Sequence, residues 1–195
     1  MSIITETLTA IRATLVLWIL TALIYPFFLI AIGQVAFPYQ ANGSLITNQQ
    51  GEVIGSALIG QPMNSDRYFI SRPSTTNYST GEDAAPTGVS GASNLAPGNP
   101  DLISRVEATT AELQQAGIEP IGDLVYASGS SLDPHISPEA ARAQIQRVAQ
   151  ARGLDTNQVE ILMTKNTEGR FLSIFGEPGV NVLKLNLALD NLNRS

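Results

Sequence analysis

The sequence predicts a single N-terminal transmembrane helix followed by a soluble α/β (α+β) domain with a mixed sheet and at least two helices. Three observations support this fold class. A long uncharged apolar run lies near the N-terminus, two later segments combine helical periodicity with capping residues, and several short apolar runs are separated by turn signals. The predicted organisation is a cytoplasmic N-terminus over residues 1–12, a transmembrane helix over 13–37 and an extracytoplasmic domain over 38–195.

The apolar run extends from residue 13 to residue 37 without a charged side chain. As an α-helix it would be about 37 Å long, which is enough to cross a bilayer with some tilt. A cleaved signal peptide is the alternative, but its apolar region is usually only about 7–15 residues long. Pro26 removes a backbone donor and predicts a kink. Because Arg12 precedes the run and the next basic residue is Arg67, the positive-inside rule predicts a cytoplasmic N-terminus.

The segment after the apolar run predicts a hairpin and then a long loop. Short β-prone runs between residues 38 and 60 are separated by turn signals at Asn42-Gly43 and Gln50-Gly51. Residues 71–100 are rich in Gly, Ser, Pro, Thr and Asn and show neither a helical nor a strand period. A loop of this length in a compact domain is usually either functional or disordered.

Two helices are predicted from their capping residues. Asn99-Pro100 supplies an N-cap and a first helical residue, and Gly117 ends the apolar stripe that follows. Ser137-Pro138 opens the second helix in the same way, and this helix is expected to end near Gly153.

Four short apolar runs predict strands, at residues 123–127, 159–163, 170–175 and 180–190. The last run changes its apolar phase at Val182-Leu183, which indicates a bulge or a switch to helix. Periodicity separates strand from helix only weakly in runs this short.

The composition excludes several kinds of chemistry. The chain has no cysteine, which excludes thiolate catalysis and disulfides. With 11 Lys and Arg against 17 Asp and Glu, a formal charge of −6 and no basic cluster, no nucleic-acid partner is expected. The chain has one histidine and lacks both a calcium-binding loop motif and a phosphate-binding loop motif. We therefore expect no metal site and no cofactor site in this chain itself.

The stretch SGSSLDPHISPEAA, residues 128–141, contains the only histidine of the chain. Ser130 and His135 could act as nucleophile and base, so a membrane-anchored hydrolase is one hypothesis. However, the G-x-S-x-G motif is absent, and Asp133 precedes a proline in a turn where aspartate usually accepts from backbone N–H groups. We interpret residues 128–141 as a rigid strand, turn and helix junction and keep the hydrolase as the alternative.

Polar and aromatic residues in and near the long loop are candidates for contacts with a partner, because Tyr and Arg are enriched at interface hot spots. The alternative is that they simply cover an α/β core. The candidate interface residues are Arg67, Tyr68, Arg72, Tyr78, Ser90, Asn94, Asp133 and His135.

Five strings occur in a fixed order along nearly the whole chain. They are GSALIGQPM (55–63), RYFISRPS (67–74), SGASNLAPGNP (90–100), SGSSLDPHISPEAA (128–141) with QIQRVAQARGL after it, and GVNVLKLNLALD (179–190). Together with the N-terminal helix they resemble the C subunit of the bacterial Kdp potassium-transporting P-type ATPase, the KdpC family. The chain departs from that family at Met63, where an aromatic residue is usual, at Ala96, where glycine is usual, and at Ser131, where glycine is common.

The resemblance implies an accessory subunit of the bacterial plasma membrane that has no reaction of its own. In this family a P-type catalytic subunit hydrolyses ATP and a channel-like subunit conducts potassium, so these two subunits and the lipid bilayer are the implied partners. The family is also described as a catalytic chaperone that raises the ATP affinity of the catalytic subunit. A domain outside the membrane cannot contact cytoplasmic ATP. We therefore favour packing on the channel-like subunit, on the side where potassium enters, and keep an ATP-binding regulator as a third hypothesis.

Overall fold

The computed structural model describes residues 2–48, 50–78 and 89–192. The chain divides into two compact units, Met1–Leu45 and Ile46–Ser195. We call the second unit the C-terminal domain.

The N-terminal unit is one long apolar helix followed by a short helix. Its elements are α1 (Ile3–Trp18), a π-helical segment (Ile19–Ile24), α2 (Tyr25–Ala36) and α3 (Pro38–Ala41). In the described part of the chain, the continuous helix Ile3–Ala36 is the one that is long and apolar enough to cross a membrane. Its most apolar stretch is unburied, as expected for a helix that lipid or another protein would cover. The predicted N-terminal helix is therefore confirmed.

The long helix changes its hydrogen-bond register just before Pro26. Proline has no N–H group and cannot continue the ordinary helical ladder. Tyr25 N–H donates to the carbonyl of Leu20, five residues earlier, at the end of the π-helical segment. Such segments are one of the usual causes of local helix distortion. At the place where Pro26 predicts a kink, the structure therefore has a π-helical turn on the N-terminal side of the proline.

From Leu45 onward the chain alternates short strands and helices, which confirms the predicted fold class. The elements are β1 (Leu45–Thr47), β2 (Val53–Ser56), α4 (Pro100–Gln115), α5 (Gly122–Val125), β3 (His135–Ile136), α6 (Pro138–Arg142), α7 (Ile145–Arg152), α8 (Thr156–Lys165), β4 (Thr167–Glu168), β5 (Gly179–Asn181) and α9 (Val182–Leu192).

The strands form two small sheets. β1 pairs with β2 around the predicted turn at Gln50-Gly51, and the second sheet has the order β3-β5-β4. Val180 is opposite Ile136 on one side and Thr167 on the other, and both pairings are antiparallel. In detail, both pairings of the second sheet are antiparallel, where the sequence predicts a mixed sheet. The connection between β4 and β5, residues 169–178, is shorter than the dozen or more residues that a parallel crossover needs.

The core of the C-terminal domain lies where the second sheet and helices α4 to α9 meet. It also includes a residue from the segment before the long loop, which has no regular secondary structure. The fully buried apolar side chains include Phe69, Leu124, Ile136, Val148, Val159, Met163, Val180, Leu185 and Leu189.

Two of the predicted strands are helical. Residues 123–127 contain the single turn α5, in which the adjacent Leu124 and Val125 are both buried. A helical turn allows neighbouring residues to reach one core, whereas a strand would direct them to opposite faces. Residues 159–163 lie inside α8, which begins with a capping box between Asp155 and Gln158. The strand predictions at these two segments are therefore wrong.

The other two predicted strands are also corrected. Residues 170–175 form a tight turn closed by an antiparallel bridge between Phe171 and Phe175. Residues 180–190 begin in β5 and continue as α9, so the apolar phase change marks a switch to helix. The Asn181 side chain accepts a hydrogen bond from Lys184 N at 3.1 Å and thereby caps this helix.

The predicted helix starts are confirmed at both places. Asn99 accepts from Asp101 N, and Ser137 accepts from Ala140 N, as N-caps do. The second helix is interrupted after Arg142 and is therefore two helices, α6 and α7. It ends at Gly153, whose left-handed backbone with φ 67° is the usual helix stop.

The predicted loop over residues 71–100 has no helix or strand in its described parts, 71–78 and 89–99, and α4 begins at Pro100. Residues 79–88 of this prediction lie outside the described residues.

Candidate functional site

Residues 66–70 form a segment, here called the strap, whose backbone is bound by side-chain amides. Asn186 accepts from Phe69 N at 2.8 Å and donates to Phe69 O at 2.9 Å. Gln144 accepts from Ile70 N at 2.8 Å and donates to Ile70 O at 3.3 Å. Both amides are buried. They satisfy backbone groups that would otherwise lose hydrogen bonds on burial, so the Phe69 ring can enter the core without a strand.

Two arginines of α7 bind carbonyl groups of the strap. Arg147 donates to Tyr68 O at 2.8 Å, and Arg152 donates to Arg67 O at 2.6 Å. The Arg152 side chain is 1% exposed and forms an ion pair with Asp190 of α9 at 2.8 Å. Burial lowers the pKa of Arg147. The strap is thus fastened to α7 and α9 by charged hydrogen bonds, which are stronger than neutral ones.

Of the two candidate interface residues in the strap, Tyr68 is half-buried and Arg67 is exposed. The Tyr68 hydroxyl donates to Asp190 at 3.0 Å, and the guanidinium of Arg152 lies 4.9 Å from the centre of its ring. Burial, followed by the bond to Asp190, raises the pKa of Tyr68. Arg67 is exposed, with its guanidinium 3.5 Å from the carbonyl of Ala151. Arg67 is therefore available for a partner, and the hydroxyl of Tyr68 is bonded within the domain.

A charged cleft of about 510 Å³ lies beside β3. Arg72 is 3.3 Å from a carboxylate oxygen of Asp133 and 3.8 Å from one of Asp123. Each carboxylate also holds backbone: Asp133 accepts from His135 N at 3.0 Å, and Asp123 accepts from Ser137 N at 2.8 Å. Arg72 thereby links the start of the long loop to the junction at residues 128–141.

His135 lies in the charged cleft between two carboxylates. Its Nδ1 is 3.8 Å from Asp133 Oδ1, and its Nε2 is 3.4 Å from Glu168 Oε2. Glu168 also accepts from Lys184 at 2.7 Å. The hydrogen bond to Lys184 is the main cause of a lowered pKa at Glu168, and His135 adds to it. The two carboxylates beside the ring are thus themselves paired with cations, Asp133 with Arg72 and Glu168 with Lys184.

The serines of the junction are bonded to one another and to backbone. Ser130 Oγ is 3.2 Å from Ser128 Oγ and accepts from Leu132 N at 3.1 Å. The ring nitrogens of His135 face the carboxylates of Asp133 and Glu168. Over residues 2–48, 50–78 and 89–192, no group of three or more His, Asp and Glu side chains could hold a metal ion. Within the described residues, Ser130 and His135 therefore do not form the nucleophile and base pair that a serine hydrolase needs.

The junction holds both described ends of the long loop. Ser90 Oγ donates to Ser130 O at 2.9 Å, while Thr75 N donates to Ser131 Oγ at 2.9 Å and Ser74 Oγ donates to Ser131 O at 3.1 Å. Ser131 is buried and has φ 59°, a left-handed conformation that favours glycine. This backbone explains why glycine suits the position, and the serine hydroxyl adds the bond to Thr75.

The remaining two candidate interface residues differ in their surroundings. The Tyr78 hydroxyl donates to the carbonyl of Arg72 at 3.1 Å, and burial raises its pKa. Asn94 is exposed and has φ 51°, a conformation that asparagine tolerates better than most residues. Tyr78 thus stabilises the loop, and Asn94 presents its side chain to solvent.

The amides and charges that bind the strap were missed at the level of sequence. Gln144 lies three residues after Ala141 and four before Val148, on the apolar stripe of the helix predicted from Ser137, and Asn186 lies three residues before Leu189. A polar residue at such a stripe position needs a hydrogen-bond partner when it is buried. That signal could have indicated a bound backbone segment, although not which segment.

Comparisons with known proteins bear on the whole chain. The profile of the family described as "KdpC: K+-transporting ATPase, c chain" matches residues 7–191. The potassium-transporting ATPase KdpC subunit of Microcystis aeruginosa is 64% identical, and the alignment covers 97% of this chain and 97% of that protein. The corresponding subunit of a Synechocystis species is also 64% identical, over 93% of this chain and 96% of that protein. KdpC subunit 1 of a Nostoc species is 60% identical over 98% of both chains.

These similarities cover the membrane-crossing helix, the strap, the charged cleft and the junction together. The resemblance carried by the five strings is therefore confirmed, and the chain belongs to the KdpC family, the c chain of K+-transporting ATPases.

Proposed function

We propose that the chain is an accessory, non-catalytic subunit of an ATP-driven potassium uptake complex in the bacterial plasma membrane. Its role is to assemble and stabilise that complex. The observation that carries the proposal is the full-length similarity to subunits of potassium-transporting ATPases. The geometry of the junction supports it, because its serines and Asp133 hold backbone and its histidine faces carboxylates. These groups are used for structure, which leaves the chemistry to other subunits.

The proposed partners are a channel-like potassium-translocating subunit and a P-type catalytic subunit. The long apolar helix Ile3–Ala36 supports a contact within the membrane, because π-helical backbone and a proline are best tolerated where a neighbouring helix packs. The exposed side chains of Arg67, Ser90 and Asn94 are the candidate contacts of the C-terminal domain. ATP and potassium are handled by the partner subunits.

The proposed orientation places the N-terminus in the cytoplasm and the C-terminal domain outside. Arg12 flanks the helix on its N-terminal side, and no basic residue follows the helix until Arg67. Raising the ATP affinity of the catalytic subunit is the second candidate function. With this orientation it would have to act through subunit contacts, because the C-terminal domain would be separated from cytoplasmic ATP by the membrane.

Single cysteines test the orientation cleanly because the chain contains none. Ser2→Cys and Gln114→Cys place a thiol at an exposed position at either end of the proposed topology. With a membrane-impermeant maleimide on intact spheroplasts, we expect labelling of Gln114→Cys, and labelling of Ser2→Cys only after lysis. The opposite pattern would contradict the proposed orientation and favour a regulator that contacts ATP directly.

Deletion of residues 2–37 tests whether the chain works as an anchored subunit. Two linked binding elements gain about 10²–10⁴ in avidity over one, so removal of the helix is expected to lower retention by the other subunits at least about 100-fold. Growth at limiting potassium should fail with it. The measurement is co-purification through a tag on the catalytic subunit, together with growth. Control variants Ser130→Ala and His135→Gln should keep ATP turnover in the assembled complex. Full function after the deletion, or loss of turnover in a control that assembles normally, would refute the proposal.

A further inference from the structure

A short apolar turn at residues 171–175, here called the apolar tip, is built as a closed unit. Phe171 and Phe175 exchange two backbone hydrogen bonds, of 2.8 and 2.9 Å. Arg170 and Glu177 form an ion pair of 2.8 Å at its base. These bonds hold the two ends of the turn together, so the tip is a defined structural feature of the C-terminal domain.

The side chains of the apolar tip are exposed although they are large and apolar. Phe171, Leu172, Ile174 and Phe175 are between 60% and 71% exposed. Single exposed apolar residues are normal on protein surfaces, whereas contiguous apolar patches mark interaction sites. Four such residues within five positions make this one contiguous patch, and none of them contributes to the core.

Several backbone N–H groups of the apolar tip already form hydrogen bonds within the turn. Ser173 N donates to Arg170 O at 3.0 Å, and Ile174 N donates to Phe171 O at 3.2 Å. Donors that are already bonded make burial less costly. Leu172 and Ser173 have φ of 52° and 61°, a left-handed conformation that L-residues rarely adopt. Such a turn is pre-organised, and a pre-organised element loses less conformational entropy when it binds.

We propose that the apolar tip inserts into an apolar recess of a membrane-embedded partner subunit of the same ATPase. This inference rests on the proposed function and names the element that makes the contact. Exposed phenylalanine and aliphatic side chains are suited to act as anchors that fill such a recess, surrounded by a polar rim. The pair Arg170–Glu177 at the base of the tip would lie at that rim.

The area of the apolar tip disfavours a second copy of this chain as its occupant. Four side chains exposed to this extent present on the order of 500 Å². Two tips packed against each other would bury about 1,000 Å², which is less than the roughly 1,200–2,000 Å² of a stable specific interface. The tip is large enough for an anchor within a wider docking surface and too small for a dimer by itself.

Charge disfavours a bilayer surface as the occupant. Residues 2–45 contain one acidic and one basic residue, Glu6 and Arg12, so the whole formal charge of −6 belongs to the C-terminal domain. A bilayer that contains anionic lipid attracts basic segments and repels a domain of this charge. Arg170, at the base of the tip, is already paired with Glu177.

Photo-crosslinking in the full-length chain within its complex tests the proposal. The probe is benzoyl-phenylalanine at Ile174, and the matched control has the same probe at Ile161, a residue of α8 that is 56% exposed. We expect a covalent product with a partner subunit from position 174, at least about tenfold more abundant than from position 161. Crosslinking only to lipid, only to a second copy, or no more than at the control would overturn the proposal.

A second measurement separates this proposal from the proposed function. Leu172→Asn combined with Ile174→Ser replaces two of the four exposed apolar side chains of the tip with polar ones, and asparagine tolerates the left-handed backbone. Retention by the complex in detergent should fall about tenfold, whereas Ile161→Ser should leave it unchanged. Unchanged retention of the tip variant would overturn the proposal while the subunit function stands. If the wild-type chain itself failed to co-purify, the proposed function would fail instead.

Discussion

Replacement of Phe69 with alanine is expected to lower the free energy of unfolding of the C-terminal domain by about 3–5 kcal/mol. The Phe69 ring is fully buried in the core. Its removal deletes packing contacts and leaves a cavity that the bound backbone cannot fill, because Asn186 holds the residue at both its N–H and its C=O. Urea-induced unfolding of the full-length chain in detergent, followed by circular dichroism, measures the change.

The matched control for this variant is Phe171→Ala, in which the same side chain is removed from a site that is 71% exposed. Its effect on stability should be within about 0.5 kcal/mol. Equal effects of the two variants would show that Phe69 is not a core residue and that the strap is not fastened as described. The control also separates stability from docking, because Phe171 belongs to the apolar tip.

Asp190→Ala is expected to destabilise the domain by about 2–4 kcal/mol. It removes the carboxylate that pairs with Arg152 at 2.8 Å and leaves a guanidinium that is 1% exposed without its counter-charge. The Tyr68 hydroxyl loses its acceptor at the same time. Since Asp190 itself is 36% exposed, water can replace part of the interaction, and the lower half of the range is expected. Thermal and urea unfolding of the full-length chain measure the loss.

Glu160→Ala is the control for the charge pair. Glu160 and Arg142 form an exposed ion pair at 3.9 Å, and such pairs contribute about 0–1 kcal/mol. In the double variant Arg152→Met with Asp190→Leu, both charges are replaced by apolar groups, and much of the stability should return. A loss in Asp190→Ala no larger than in Glu160→Ala would contradict the role given to the buried arginine.

The starts and ends of helices were predictable because they depend on neighbouring residues. Asn99 and Ser137 cap their helices through bonds to N–H groups two or three residues later, and Gly153 ends α7 in a left-handed conformation. The strand at residues 159–163 was predicted wrongly although Asp155 and Gln158 form a capping box directly before it. The strand was predicted from the short apolar run at residues 159–163, although the capping box indicated the start of a helix.

The bonding partners of the polar side chains were less predictable than the helix ends. Arg72, Tyr78 and Asp133 have types that suit an interface, but in the folded chain they bond to one another or to backbone. A residue type indicates what bonds a side chain can form. It does not indicate whether the partner is another subunit or a distant part of the same chain.

The sequence by itself determined the apolar membrane helix, the membership of the KdpC family and the capped helix ends, because hydropathy, motif order and caps are local properties of the chain. Only the tertiary structure decided that the strap is bound by Gln144 and Asn186, and that residues 170–175 form an exposed apolar tip instead of a strand. The bond from Phe69 to Asn186 joins positions 117 residues apart. Burial and partners at that separation are set by how the whole domain packs, and no local pattern records them.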